Sequence, residues 1–77
     1  MQGAVVRVQA GSGADIAALH KDLHGVQNVK EVYILAGPTD VECRVEAADV
    51  DGVTKTVIQI RAVKGVAKTD TRFILPI

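Results

Sequence analysis

Apolar residues along this chain switch between two periods, and the switches divide it into six elements. From Ala4 to Ala10 they alternate: Ala4, Val6, Val8 and Ala10 fall on one side, Val5, Arg7 and Gln9 on the other. A period of two predicts a strand with one face buried. After the break Gly11-Ser12-Gly13, Ile16, Leu19 and Leu23 recur at the helical spacing i, i+3 and i+7. Ser12, three residues before Asp15, has the spacing of a capping box, and Gly25 suits a helix stop. The run Val29 to Leu35 is apolar on both sides, with Val32 and Ile34 on one face and Tyr33 and Leu35 on the other. Past the corner Gly37-Pro38-Thr39-Asp40 the alternation returns: Val41, Cys43, Val45 and Ala47 against Glu42, Arg44 and Glu46. Asp49 is placed to cap a second helix with the stripe Val50, Val53, Val57 and Ile60, ended by Gly65, and Val66 to Leu75 reads as the last strand.

The order is therefore βαββαβ, and its halves echo each other. Gly25-Val26 stands eight residues before Tyr33-Ile34-Leu35, as Gly65-Val66 does before Phe73-Ile74-Leu75. A right-handed crossover in each βαβ unit gives an α+β, ferredoxin-like fold: a four-stranded antiparallel sheet with two helices on one face. Helices cover only that face. The other carries Arg7, Gln9, Glu42, Arg44 and Glu46, and the two-sided apolar run predicts an apolar patch among them. Such a face is expected to pack against its copy in a symmetric dimer.

Composition narrows the function classes. Seventy-seven residues make one domain, 1–77, with a core rich in aliphatic residues: 48% of the chain is hydrophobic and 3% aromatic. One cysteine excludes an internal disulfide. Nine basic and nine acidic side chains balance, so no global field draws nucleic acid or anionic lipid. The start lacks the pattern of a secretory signal, and no apolar run reaches membrane-spanning length. A cytoplasmic protein that binds neither membrane nor DNA directly is the expectation.

Catalytic chemistry finds little support. His20 and His24 have the i, i+4 spacing that can grip a metal, but no third ligand stands near them, and packing explains them. Cys43 has inward parity and reads as core. Gly11-Ser12-Gly13 lacks the third glycine of a dinucleotide loop and any following Gly-Lys-Ser/Thr. No enzyme activity, cofactor or metal is expected. The corner is different. Gly37 lets a backbone or a ligand approach closely, Pro38 fixes φ, and Asp40 either accepts from turn amides or offers its carboxylate outward.

The string Glu31-Val32-Tyr33-Ile34-Leu35-Ala36-Gly37-Pro38-Thr39-Asp40 resembles the EVY-apolar-apolar-x-G-x-x-D segment of the Lrp/AsnC family of transcriptional regulators. The resemblance extends over nearly the whole chain, to Lys64-Gly65-Val66, Thr69 and Thr71 in a strand similar to the family's last. It implies a stand-alone ligand-binding (RAM) domain without the helix-turn-helix domain of full-length members. It also implies dimers that assemble into larger rings, and a small effector, commonly an amino acid, held between subunits at the corner. The effector-binding residues it implies are Gly37 and Asp40, with the intervening Pro38 and Thr39, and Thr69 and Thr71. The chain departs from the pattern at Thr39, where an aromatic residue is common, and at Pro38, which donates no backbone hydrogen bond. Such a module would modulate transcription indirectly, by co-assembly with full-length regulators. Two alternatives share the topology: a small dimeric α/β-barrel enzyme, and an ACT-like allosteric module whose ligand would sit near Gly11 to Asp15.

Overall fold

In the computed structural model, which describes residues 1–37 and 40–75, the first strand β1 (Gln2–Ala10) lies inside the sheet. It is followed by α1 (Ile16–His24), β2 (Val29–Ile34), β3 (Asp40–Ala47), α2 (Val50–Arg61) and β4 (Val66–Phe73). The sheet order is β2-β3-β1-β4, every pairing is antiparallel, and the ferredoxin-like arrangement is as the pattern requires.

The alternating residues of β1 and β3 form the floor of the core. Ala4, Val6 and Val8 of β1 and Val41, Cys43 and Val45 of β3 are fully buried, and the helices press Leu19, Leu23, Val53 and Ile60 onto them. Each buried Leu or Ile side chain contributes about 2–3 kcal/mol of transfer free energy. Val50 does not join its stripe; it is 53% exposed, and Thr56 is buried in α2 instead. Thr56 satisfies its hydroxyl by donating to the Gly52 carbonyl at 2.9 Å and accepting from Asn28 Nδ2 at 3.2 Å.

Helix ends differ from the sequence expectation in three places. Asp15, not Ser12, caps α1: its carboxylate accepts from the Ala18 amide at 3.1 Å. Asp49 caps α2 as expected, accepting from the Gly52 amide at 2.8 Å. Gly25 ends α1 in an ordinary right-handed conformation, φ −81°. α2 ends at Ala62, before Gly65. The left-handed residue that turns each helix into its strand comes later, Asn28 (φ 72°) after α1 and Gly65 (φ 99°) after α2. The two turns match bond for bond. The Val26 and Val29 amides donate to the Leu23 and Val26 carbonyls at 3.1 and 3.2 Å. The Val63 and Val66 amides repeat this with the Ile60 and Val63 carbonyls at the same distances. The internal echo is real, but Asn28 is the counterpart of Gly65, and Gly25 that of Ala62.

Both outer strands then carry a β-bulge near their start. In β2 the register shifts between Val29, opposite Val45, and Glu31, opposite Arg44. In β4, Val66 faces Ala10 and Lys68 faces Gln9, so Ala67 is the extra residue. A bulge reverses which parity faces the helices. Val29 and Val32 are thus both inward, and in β4 the helix side is taken by Val66, Thr69, Thr71 and Phe73.

The open face of the sheet corrects the expected apolar patch. Val5 and Tyr33 are there, but they stand among charges of both signs. Arg7 pairs with Glu42 at 3.3 Å, Arg44 with Glu31 at 3.0 Å and Glu46 at 3.8 Å, and Arg72 with Asp70 at 3.3 Å. Other uncovered apolar side chains lie at the sheet's outer strands and just past β4. Ile34 and Phe73 have helix-side parity on the two outermost strands, whereas Ile74, just past β4, lies over Gly3 on the open face, its Cδ1 3.1 Å from where a Gly3 Cβ would stand.

Candidate functional site

Among the described residues, a backbone bond from the Leu35 amide to the Asp40 carbonyl at 3.1 Å closes the corner between β2 and β3. Asp40 opens β3 opposite Gln9 of β1, a pair on the open face of the sheet. A Cβ built on Gly37 would stand 3.7 Å from Asp40 Oδ2, an ordinary contact. The missing side chain therefore leaves room directly beside the carboxylate. Pro38 and Thr39 lie outside the described residues.

Arg7, Gln9, Asp40, Lys68, Thr69 and Asp70 line a concavity of about 200 Å³ on that face. Gln9 pairs with Asp40 on one side and Lys68 on the other, so these three side chains form one row across β3, β1 and β4. The sheet thus brings Asp40 together with Lys68, Gln9 and Asp70, of which sequence reasoning singled out only Asp40 as a ligand contact. It does not bring Thr69 and Thr71 to the face that carries Asp40. Their partners, Val8 and Val6, are fully buried, so both threonines share the helix-covered face, where they are half-buried. Thr69 still borders the concavity; Thr71 does not. A larger depression, about 380 Å³, lies beside Arg61, Val66, Ala67, Lys68 and Thr69, away from the corner.

Electrostatics distinguish paired from unpaired charges. Tyr33's hydroxyl donates to the Glu31 carboxylate, and with Arg44 it holds that carboxyl below its usual range. The same bond holds the Tyr33 phenol above its usual value. Among the described residues Asp40 and Lys68 belong to no ion pair, whereas Arg7 and Asp70 do. Burial pushes the Cys43 thiol up to about 11, which keeps it protonated and unreactive. His20 Nε2 lies 3.1 Å from the Val32 carbonyl, to which it must donate. Among the described residues no three His, Cys, Asp or Glu side chains group as a metal site, and no helix is long and apolar enough to cross a membrane.

The family model of the Lrp/AsnC ligand binding domain matches residues 3–76. Homocitrate synthase from Sulfurisphaera tokodaii is 35% identical over 72 residues, 94% of this chain but 16% of that enzyme's length. The crystal structure of TTHA0845 from Thermus thermophilus superposes with a TM-score of 0.87 at 29% identity, covering 100% of this chain and 96% of that one. A feast or famine regulatory protein from M. tuberculosis, complexed with L-methionine, gives 0.81 at 19% identity over 100% of this chain and 52% of that one. At that identity the likeness shows the fold alone.

Proposed function

The chain belongs to the Lrp/AsnC ligand-binding domain family, and from that premise we propose that it is a small-effector-binding and assembly module, not an enzyme. Residues 1–77 act as one cytoplasmic domain that forms homodimers and larger rings, and modulates transcription through family regulators that carry their own DNA-binding domain. The effector is an amino acid, held between subunits at the corner formed by Gly37, Pro38, Thr39 and Asp40, with Thr69 at the border of the same concavity. Thr71, on the other face, is given no contact.

One observation carries this reading. Asp40 presents a carboxylate without an ion partner among the described residues, beside a glycine and at the rim of a concavity. A carboxylate so placed is suited to an α-ammonium group. Calorimetry against the twenty L-amino acids tests it. Binding by at least one is expected, and Asp40→Ala should weaken that ligand by about 1.5–3 kcal/mol, one to two decades in affinity. Unchanged binding to the variant would reduce Asp40 to a turn residue.

The homocitrate synthase similarity favours a second reading, effector sensing on behalf of a biosynthetic enzyme. Native mass spectrometry of the protein from its own cells separates the two. The retained partner is either a DNA-binding regulator or an enzyme subunit.

A further inference from the structure

The effector reading names one charged contact, yet the sheet offers a second of opposite sign in the same row of residues. Asp40, Gln9 and Lys68 are consecutive register partners across three strands. Neighbouring strands are about 4.8 Å apart, so the backbones bearing Asp40 and Lys68 are separated by about 10 Å. That gap suits a molecule bearing an ammonium and a carboxylate on one carbon. The short Asp40 side chain and the flexible four-carbon stem of Lys68 can each reach such a ligand lying over Gln9, with one charge-assisted hydrogen bond apiece. Between them Gln9, on the same face and lining the same concavity, carries both a donor and an acceptor.

The surrounding charges make the choice selective. Arg7 is held by Glu42 at 3.3 Å and Asp70 by Arg72 at 3.3 Å. Both line the concavity with their charge already answered. Asp40 and Lys68 are the two lining charges in no ion pair among the described residues, one acidic and one basic.

We infer that Lys68 is the carboxylate anchor of the effector site, so that Asp40, Gln9 and Lys68 together clamp the zwitterionic head of a free α-amino acid and exclude peptides, esters and amides. This inference rests on the effector reading and adds Lys68, a residue on a different strand from the corner.

The test begins with the twenty L-amino acids in calorimetry. The methyl ester and the N-acetyl derivative of the tightest binder follow, with the unmodified protein, Lys68→Met, Lys68→Arg and Asp40→Asn. The ester and the N-acetyl derivative should each bind at least about tenfold more weakly than the free amino acid. Lys68→Met should lose as much for the free amino acid but nothing further for the ester, because the group it contacts is already gone. Lys68→Arg should restore most of the loss. Asp40→Asn should show the mirror pattern, insensitive to N-acetylation. If Asp40→Asn weakens binding while Lys68→Met and the ester do not, the effector site stands and the clamp is wrong. If none of the twenty binds, the effector reading itself falls and takes the clamp with it.

Discussion

Asn28 joins three jobs in one side chain and one backbone unit. Its φ of 72° is left-handed, its side-chain amide donates to Thr56 Oγ1 at 3.2 Å, and its carbonyl accepts from the Glu46 amide at 3.0 Å. Asn28→Gly keeps the conformation and loses the side-chain bond; Asn28→Ala loses both. We expect Asn28→Ala to cost about 1–2 kcal/mol more than Asn28→Gly in urea denaturation. Equal costs would show that the left-handed turn carries no strain for alanine. Cys43 gives a second expectation at this scale. Its folded-state value is raised from 9.0 to about 11, so the folded protein keeps a proton that the unfolded chain gives up first. The contribution is fully present below pH 9 and is lost as pH rises towards 11. Tyr33, also raised, adds a loss of the same sign near the top of that range. Stability should therefore fall between about pH 9 and 11 more steeply than in Cys43→Ala, and parallel slopes would exclude the thiol as the cause.

The elements show where local chemistry settles structure and where it does not. Gly52 lies in the first turn of α2, where glycine is ordinarily replaced by alanine with a gain in helix propensity. Here a Cβ would come within 2.9 Å of Ala47 Cβ, which cannot rotate away. We expect Gly52→Ala to destabilise by about 1–3 kcal/mol, read as a lower denaturation midpoint at constant slope. A stabilised variant would mean that α2 slides freely on β3. The strands and helices themselves were legible in the spacing of apolar residues, because burial on one face repeats that spacing. The corner was legible too, since glycine, proline and aspartate leave a strong local signature. The bulges at Lys30 and Ala67 were not. Nothing in Val66-Ala67-Lys68-Thr69 announces an unpaired residue, for bulging is decided by the register of β4 against β1. That one residue of slip turns Lys68 towards Asp40 and Thr69 towards the helices. Val50 was misjudged because the packed face of α2 runs through Gly52, Val53, Thr56 and Ile60, with Gly52 pressed on Ala47, and leaves Val50 to one side.

For the whole molecule, the consequence concerns association. The face left open by the helices carries opposite charges in adjacent pairs with Val5, Tyr33 and Ile74 among them, and it offers a polyanion no net attraction. Sedimentation at micromolar concentration should give a dimer or larger species; a folded 8.1 kDa monomer would remove the assembly part of the proposal. Duplex DNA at low salt should not bind, because balanced charge releases no net counterions. A submicromolar, salt-dependent shift would overturn that expectation.

The pairing of β1 with β4 also decides how the molecule yields to force. Ala4 lies opposite Phe73, and the Ile74 amide donates to the Gly3 carbonyl at 2.9 Å, so residues near the two ends of the chain are hydrogen-bonded neighbours. Tension applied through Gln2 and Ile74 acts across that pair and loads its bonds one after another, as a zip opens, instead of all at once in shear. Stretched between these points, the protein should detach β4 at low force before the β3–β1 centre gives way. Stretched between Gln9 and Ile74, from opposite ends of the β1–β4 pair, it should resist several times more.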